Sequence, residues 1–293
     1  MKNALLMMAY GSPERKEDIM DYLRDVYGGR EPPKFAIDET ENKYSRFGFK
    51  SPSSEILRKL TEQVRNSISE MDVYMAFKHW KPSIEEIVIQ LRDRGYERIN
   101  LLPLFPIRNT SIQGSYIDPF HRVLKKLDYN PQVRLVSGMT DAPSLTQYWV
   151  ESVKKTYRDG DFLLFSAHSL PHTIEQETEY YNIFKNWSGQ IAGSLGIKEF
   201  NFAFQSRGSY GKTWLEPSVY QVLEGIEQGR YNNIVTVPIG FIYDHLEVLY
   251  DLDFLFGKKV LDKGMGYRRA ELPNNSSLMV ETIRECTEMM NDE

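Results

Sequence analysis

Short runs of apolar residues alternate along this chain with longer segments in which apolar residues recur at helical spacing. The short runs predict strands at Leu5–Ala9, Val73–Phe77, Ile99–Leu104, Val133–Ser137, Phe162–Phe165, Phe200–Phe204, Ile234–Ile239 and Lys259–Leu261. The longer segments predict helices at Pro52–Ser69, Pro82–Gly95, Ser144–Arg158, Glu175–Leu195, Pro217–Gly229 and Ser276–Asn291. This alternation is typical of parallel sheets covered by helices, so we predict an α/β fold.

The length and a break in the pattern predict two domains. A chain of 293 residues fits about two domains of ordinary size. Gly138 and Pro143 interrupt the periodicity, and the same rhythm of strands and helices is found on both sides of them. We therefore predict two similar α/β domains, residues 1–140 and 141–293, with a C-terminal helix that can pack back on the first. The segment Gly28–Ser54, rich in Gly, Pro and charge, is predicted to be a lid or a surface loop.

Composition excludes several classes of function. Lys and Arg number 36 against 41 Asp and Glu, so no basic excess exists to neutralise nucleic-acid phosphates. The single cysteine, Cys286, excludes an internal disulfide framework, a Cys-ligated zinc site and an iron–sulfur cluster held within one chain. The first apolar run ends at Gly11 and is short for a secretory signal, and no stretch approaches a membrane span, so we expect a cytoplasmic protein without a transmembrane segment.

Polar residues follow several of the predicted strands, where ligands bind in open parallel sheets. Lys78 and His79 follow the second strand, and His168 follows the fifth. From position alone, each of these histidines is either a structural residue or part of a site. The chain has no G-x-G-x-x-G or Walker-type loop, so no signature of nucleotide binding is present. The distribution favours a ligand-binding cleft between the two halves. An aromatic share of 13% suits a large planar ligand, but it suits an ordinary core equally well.

One acidic segment carries the most chemical information. If it is helical, Asp244, Glu247 and Asp251 recur at i, i+3 and i+7, which places the three carboxylates on one face. Their repulsion suggests a cation, a shared proton or screening by solvent, and His245 in the same segment could bond to Asp244. Imidazole and carboxylate without thiolate suit iron, zinc, manganese or nickel. We therefore expect a site that handles a metal ion beside a large planar ligand.

Several motifs resemble those of the ferrochelatases, in particular the coproporphyrin ferrochelatases of Gram-positive bacteria. The resemblance extends from Leu5 to the C-terminal helix. Its two most specific motifs are SAHSLP at 166–171 and DHLEVLYD at 244–251, in this order and separation. The others are MAYGSP at 8–13, Gly48 with Ser51-Pro52, Lys78-His79, Gln205-Ser206, and Trp214-Leu215 with Pro217.

The resemblance implies two Rossmann-like, chelatase-type domains with a porphyrin cleft between them. It implies a metal chelatase of the lyase class that inserts ferrous iron into a porphyrin in heme biosynthesis, with coproporphyrin III favoured and protoporphyrin IX next. Porphyrin and ferrous iron would be the substrates, no cofactor would be required, and no iron–sulfur cluster is expected. We further expect a monomer.

The resemblance also assigns roles to individual residues. His168 and Glu247 would form the pair that handles the metal and the protons, and Asp251 would continue the carboxylate path. The implied porphyrin-binding residues are Tyr10, Lys43, Tyr44, Ser51, His79, Tyr116 and Trp214. The chain departs from the pattern at Tyr27 and Gly28, where basic residues are usual, and at Leu255, where an acidic residue is frequent.

Three questions stay open at this point. A chelatase for a sirohydrochlorin-type ring, with iron or cobalt, would share the fold. A non-catalytic intracellular carrier of a tetrapyrrole or a metal would share the binding residues. Within the leading hypothesis, His168 could act first as a proton acceptor or first as an iron ligand.

Overall fold

The chain folds into two compact units. The structure, a computed structural model, describes residues 1–171, 176–207, 213–227 and 229–292. Unit 1 is made of Met1–Leu104, Thr110–Ser137 and Asn274–Glu293, and unit 2 is made of Phe105–Asn109 and Gly138–Pro273. The C-terminal part of the chain therefore belongs to the same unit as the N-terminus.

Unit 1 is built on a five-stranded sheet. Its elements are β1 (Asn3–Ala9), a 3₁₀ turn (Lys16–Asp18), α1 (Ile19–Val26), α2 (Lys34–Ser45), α3 (Ser53–Ser67), β2 (Asp72–Phe77), α4 (Ile84–Asp93), β3 (Arg98–Pro103), α5 (Thr110–Lys126), β4 (Gln132–Leu135), α10 (Ser277–Glu288) and β9 (Asn291–Asp292). The strand order is β2-β1-β3-β4-β9, and every pairing is parallel except that of β4 with β9. The central strand β1 is buried along Ala4–Ala9, as expected for a strand covered on both faces.

Unit 2 is built on a four-stranded parallel sheet. Its elements are α6 (Pro143–Thr156), β5 (Phe162–His168), α7 (Gln176–Ser194), β6 (Asn201–Gln205), α8 (Val219–Gly225), β7 (Asn233–Val237), a π-helix (Glu247–Phe256), α9 (Gly257–Asp262) and β8 (Gly266–Arg269). The strand order is β6-β5-β7-β8. Leu252, Phe256 and Val260 pack in one core cluster with residues of β5 to β7, so the π-helix is anchored on the sheet.

The first four strands of each unit follow the same order, because β2-β1-β3-β4 in unit 1 corresponds to β6-β5-β7-β8 in unit 2. In both units the chain crosses from one side of the first strand to the other. Such a switch point is where ligands bind, just beyond the carboxyl ends of the strands. Tyr10 follows β1, and His168 is the last residue of β5. Both residues thus lie at the carboxyl end of the first strand of a Rossmann-like unit.

The connections that leave β2 and β6 are also built alike. Ser83 and Ser218 cap α4 and α8, and each hydroxyl accepts a hydrogen bond from the backbone N–H of the residue three positions later. Those residues, Glu86 and Gln221, bond back to the N–H of the serine, which completes a capping box in each unit. The two units therefore resemble each other in these helix caps as well as in the order of their strands.

Seven of the eight predicted strands are confirmed within a few residues, and the eighth is wrong. Lys259–Leu261 lies in α9, and the last strand of the unit is β8 at Gly266–Arg269. This strand lies at the edge of the sheet and is only half-buried, so it carries tyrosine and arginines in place of an apolar run. The segment predicted as a lid or loop contains a helix, α2. Across the ranges described, none of the helices combines the length and apolar character that a membrane span requires.

Candidate active site

His168 stands at the carboxyl end of β5, between β6 and β7, in unit 2. Its Nδ1 atom lies 2.5 Å from the carbonyl oxygen of Ser169. A carbonyl oxygen only accepts hydrogen bonds, so Nδ1 carries the hydrogen and Nε2 carries the lone pair when the ring is neutral. The hydroxyl of Tyr180 donates a hydrogen bond to the backbone carbonyl of His168, and the hydroxyl of Ser169 donates one to the backbone carbonyl of Leu215. These two bonds hold the backbone next to the ring.

Glu247 faces two imidazoles with its two carboxylate oxygens. It is the first residue of the π-helix, and its Oε1 atom lies 3.6 Å from Nε2 of His168. Its Oε2 atom lies 3.6 Å from Nε2 of His245. Each oxygen of this carboxylate is therefore directed at a different imidazole nitrogen, and that nitrogen can carry either a proton or a metal ion.

His245 is held in the same tautomer as His168 by a similar contact. Its Nδ1 atom lies 2.9 Å from the carbonyl oxygen of Tyr243, which it can approach only as a donor. The expected bond from His245 to Asp244 is wrong, because the ring turns to Glu247 and to this carbonyl instead. Two imidazoles thus present Nε2 to one carboxylate.

Burial and charge act in opposite directions on this pair. Burial lowers the pKa of His168, but the facing carboxylate of Glu247 outweighs it, and the pKa ends above its ordinary value. Burial likewise raises the pKa of Glu247, but His168 and then His245 outweigh it, and the pKa falls well below its ordinary value. The carboxylate is therefore ionised at neutral pH and favours a proton on His168.

Asp251 lies on the same π-helix, four residues after Glu247, and contacts the end of β6. Its Oδ2 atom accepts a hydrogen bond from the hydroxyl of Ser206 at 2.5 Å. Gln205, the last residue of β6, donates from its side-chain amide to the backbone carbonyl of Glu247 at 2.9 Å, and it accepts from the hydroxyl of Ser166. Two adjacent residues of β6 and its loop thus hold the carboxylate-bearing helix.

Asp244 does not belong to this carboxylate row. It precedes the π-helix, and its Oδ1 atom lies 3.0 Å from a terminal nitrogen of Arg269 on β8. The prediction that Asp244, Glu247 and Asp251 share one helical face is wrong for Asp244, because the residue lies outside the helix. Only Glu247 and Asp251 of the predicted three belong to the π-helix.

A second group of predicted residues comes together in unit 1, around Tyr10. The Tyr10 ring meets the imidazole of His79 edge-on, with centroids 4.6 Å apart. Nδ1 of His79 lies 2.7 Å from a carboxylate oxygen of Asp25 on α1, to which it donates. The ammonium of Lys78 lies 5.6 Å from the ring centroids of both Tyr10 and Tyr116, a distance typical of cation–π contact.

Serine hydroxyls connect the loop after β1 to the start of α3. The hydroxyl of Ser53 lies 2.8 Å from that of Ser51 and 2.9 Å from that of Ser12, and all three residues are buried. Tyr44 is also buried in unit 1, whereas the ammonium of Lys43 lies 2.8 Å from Glu39 one turn earlier in α2. Hydroxyl contacts through Ser53 thus connect Ser51 to Ser12, which lies two residues after Tyr10.

Trp214 lies in unit 2 beside the loop that follows β5. Its backbone forms an antiparallel bridge with Pro171, and the next residue, Leu215, donates to the carbonyl of Leu170 at 3.0 Å. The predicted residues therefore form two sets. Unit 2 contains His168, Glu247, Asp251 and Trp214, and unit 1 contains Tyr10, Ser51, His79 and Tyr116, with Lys43 and Tyr44 on α2.

Sequence reasoning left three contributors without a role. The sequence indicates His245 as a partner of Asp244, although its position two residues before Glu247 in the same motif is a usable signal. Ser206 was recognised only as part of a motif. Asp25 has no local signal, because it meets His79 across 54 positions of sequence.

The site can accept protons or a cation in transit. Nε2 of His168 and a carboxylate oxygen of Glu247 are both ordinary ligands of iron. Within the described ranges, no group of three or more His, Cys, Asp or Glu side chains is arranged to hold a metal ion.

The chain is similar to known proteins over nearly its whole length. The family model for ferrochelatases matches residues 2–290. A ferrochelatase from Thermoplasma acidophilum is 38% identical over 97% of this chain and 89% of its own length. A coproporphyrin III ferrochelatase from Geobacillus kaustophilus is 31% identical over 95% of this chain and 93% of its own length.

Solved structures with a similar fold are also chelatases. The sirohydrochlorin chelatase SirB from Bacillus subtilis subspecies spizizenii, in complex with cobalt, aligns with a TM-score of 0.63 at 12% identity, over 98% of this chain and 96% of that one. CbiX, the terminal enzyme of siroheme biosynthesis in denitrifying bacteria, aligns with a TM-score of 0.55 at 12% identity over 98% of both chains. At this identity the likeness concerns the fold alone.

Proposed function

Because the chain belongs to the ferrochelatase family, we propose that it inserts ferrous iron into coproporphyrin III, with protoporphyrin IX as the next candidate. The reaction takes one ferrous ion and one free-base porphyrin and releases the iron porphyrin and two protons. The observation that carries the proposal is the position of Glu247, whose two oxygens face Nε2 of His168 and Nε2 of His245. A carboxylate between two imidazoles suits the exchange of protons for a cation.

His168 is the proposed proton acceptor. When a pyrrole N–H bond breaks, its electron pair stays on the pyrrole nitrogen, and the proton forms a bond to Nε2 of His168. The carboxylate of Glu247 stabilises the resulting imidazolium, which agrees with the raised pKa of His168. Asp251, on the same helix, is proposed to pass protons or the cation between Glu247 and solvent.

The proposed porphyrin contacts come from aromatic and hydroxyl-bearing side chains. Tyr10, which is 39% exposed, offers an accessible phenol that approaches the metal in the proposed reaction. The other proposed contacts are Lys43, Tyr44, Ser51, His79, Tyr116 and Trp214. Binding energy from the edge of the ring offsets the distortion that exposes the pyrrole nitrogens, a cost of about 1–5 kcal/mol.

Two observations bear on which porphyrin is bound. Coproporphyrin III carries more propionates than protoporphyrin IX, so it gains more from cationic side chains. Lys78 is half-buried, and burial lowers the pKa of its ammonium group. This ammonium lies over the rings of Tyr10 and Tyr116 and forms no ion pair with any residue that the structure describes. This ammonium favours the substrate with more carboxylates. Tyr27 and Gly28 supply no charge, which keeps protoporphyrin IX as the second candidate.

The proposal is tested by anaerobic assay of the purified protein with ferrous iron and each porphyrin, followed by absorbance. We expect conversion of both, with the larger kcat/KM for coproporphyrin III. A parallel reaction with sirohydrochlorin and cobalt tests the fold-related alternative. The proposal fails if neither porphyrin is metallated above the uncatalysed rate, and the substrate preference fails if protoporphyrin IX is converted more efficiently.

Two histidine substitutions distinguish catalysis from simple carriage of a tetrapyrrole. His168→Ala is expected to lose turnover by about 10²-fold or more while keeping its affinity for porphyrin, because a general base contributes on this scale. His121→Ala, which removes an exposed imidazole from α5, serves as the matched control and is expected to keep full activity. Equal losses of porphyrin affinity and of turnover in His168→Ala would show that this residue contributes to binding or to folding and not to catalysis.

A further inference from the structure

We propose that Arg269 is a positioning residue for iron insertion, because it holds both ends of the segment 244–253 that carries the carboxylates of the site. The inference rests on the function proposed above. Arg269 itself contacts neither His168 nor Glu247 in the hydrogen bonds and ion pairs of the described residues. It acts through Asp244 and Asp253.

The guanidinium of Arg269 reaches two aspartates at once. Nε lies 2.8 and 3.0 Å from the two carboxylate oxygens of Asp253, which lies on the π-helix. A terminal nitrogen forms an ion pair with Oδ1 of Asp244 at 3.0 Å, without the geometry of a hydrogen bond, in the irregular stretch before that helix. The side chains of Arg269 and Asp244 are 15% and 19% exposed, so water screens this pairing weakly. One planar group therefore ties β8 to both ends of the segment.

The hydroxyl of Tyr267 extends this tie. It lies 3.2 Å from a carboxylate oxygen of Asp253 and 2.9 Å from the hydroxyl of Thr236 on β7. Burial raises the pKa of Asp253, and Arg269 opposes this shift. Two residues of β8 thus contact a single aspartate of the π-helix, and β7 supports one of them.

The segment needs such a tie because its backbone is unusual. Residues 242–245 form no regular helix, and the helix that begins at Glu247 has the rare i→i+5 pattern. If the helix relaxed to the ordinary i→i+4 pattern, Glu247 and Asp251 would rotate relative to the sheet. A displacement of about 1 Å in a catalytic group can reduce a rate about 10²-fold. Arg269 holds both the irregular entry and the helix, so it determines where Glu247 points.

The adjacent residue provides a matched control. Arg268 lies on the same strand and is also partly buried, but its guanidinium pairs with Asp161 and with the backbone carbonyl of Thr156. Asp161 lies just before β5 and makes no contact with the segment 244–253 in the bonds described. Loss of Arg268 leaves the buried carboxylate of Asp161 with one partner fewer, and loss of Arg269 does the same to the partly buried carboxylates of Asp244 and Asp253, so both substitutions are expected to lower stability.

The test compares Arg269→Lys with Arg268→Lys in the full-length protein. Lysine keeps the charge but lacks the planar fork that serves two carboxylates. We expect both variants to have a reduced Tm, and only Arg269→Lys to lose kcat, by about tenfold or more, with little change in the KM for porphyrin. Asp244→Asn, a milder change at one partner, is expected to lower kcat in the same direction and keeps the test usable if Arg269→Lys folds poorly.

A readout independent of catalysis separates this inference from the proposed function. The imidazole ¹⁵N signals of His168 and His245 report the carboxylate between them, and the chain has only 5 histidines to assign. We expect both signals to shift in Arg269→Lys and in Asp244→Asn and to stay in place in Arg268→Lys. Unchanged signals in the first two variants would overturn the positioning role, even in an assay in which the wild type inserts no iron. An equal loss of kcat in Arg268→Lys would overturn it as well.

Discussion

Nε2 of His168 lies 3.6 Å from Oε1 of Glu247, and the two groups shift each other's pKa in opposite directions. The pKa of His168 is raised in the folded chain. The stabilisation of the fold by this pair is therefore fully present below the ordinary pKa of 6.5 and is lost as pH rises through the raised pKa. The pKa of Glu247 is lowered, so its contribution is present above 4.5 and is lost as pH falls through the lowered pKa. The pair therefore stabilises the fold most between these two ordinary values.

Glu247→Gln is expected to reduce the free energy of unfolding by about 1 kcal/mol near pH 5.5, and by much less near pH 9. The small magnitude follows from the exposure of the Glu247 side chain, which is 45%. Urea titration of both proteins at the two pH values measures the difference. Glu179→Gln, which removes the partner of Arg108, is the control, because arginine does not titrate in this range. A pH-independent loss in Glu247→Gln would contradict the coupling.

Gly240→Ala is expected to destabilise the protein by about 2–3 kcal/mol. A Cβ at this position would lie 2.6 Å from Cα of Ala167 and 2.7 Å from its Cβ, so the backbone of β5 or of the loop must move. Gly193→Ala is the matched control. It lies inside α7 with open space at the Cβ position, and alanine there is expected to stabilise by about 0.5–1 kcal/mol. Equal effects of the two substitutions in urea unfolding would contradict the close approach.

Lys78→Met is expected to raise the KM for coproporphyrin III by about tenfold and the KM for protoporphyrin IX by less. The reason is that a hydrogen bond between the ammonium and a substrate carboxylate would contribute about 1.5–3 kcal/mol. Methionine keeps most of the aliphatic length between Tyr10 and Tyr116 while removing the ammonium. Lys81→Met, at an exposed position nearby, controls for the loss of one positive charge. An equal change of KM for both porphyrins would contradict the proposal that the Lys78 ammonium favours the substrate with more carboxylates.

The fold was largely readable from the sequence, because strands buried on both faces are apolar runs. β8 was missed because an edge strand that exposes one face can carry Arg268 and Arg269. The π-helix was not predictable, since the spacing of Glu247 and Asp251 fits an i→i+4 helix as well as an i→i+5 helix. Asp244 was misplaced for the same reason, because the prediction assumed that the helix began before it.

The candidate site was readable to the extent that it follows strand ends. The structure confirms that His79 and His168 lie at strand ends, a position that the sequence predicts because parallel strands bring such residues to one edge of a sheet. Asp25 and Arg269 were not found, because their contacts join elements that are distant in sequence and leave no periodic signal. The tautomers of His168 and His245 likewise depend on backbone carbonyls, whose positions only the fold determines.

Asp25→Asn is expected to lower the pKa of His79 further. Burial lowers that pKa, and the carboxylate of Asp25 opposes the shift through its contact with Nδ1. An amide provides no charge to oppose it. NMR titration of the imidazole C–H signals measures the pKa directly. Asp21→Asn on the same helix removes a carboxylate that pairs with Arg24 and is expected to leave His79 unchanged. A response to both substitutions would indicate a general charge effect in place of the direct contact.

Ser206 supports two separate predictions, because its hydroxyl bonds to Asp251 and its backbone has a φ of 57°. Ser206→Ala loses the hydrogen bond and keeps the left-handed backbone, so we expect a loss of about 1–2 kcal/mol in the free energy of unfolding. Ser206→Gly loses the same bond but adopts this conformation readily, so we expect stability close to that of the wild type. Both variants remove this hydrogen bond from the carboxylate of Asp251, and loss of such a supporting bond reduces activity about tenfold. Urea unfolding and the rate of iron insertion, measured on the same samples, separate the two effects. If the rates followed stability, with only Ser206→Ala impaired, the hydrogen bond to Asp251 would have no role in the reaction.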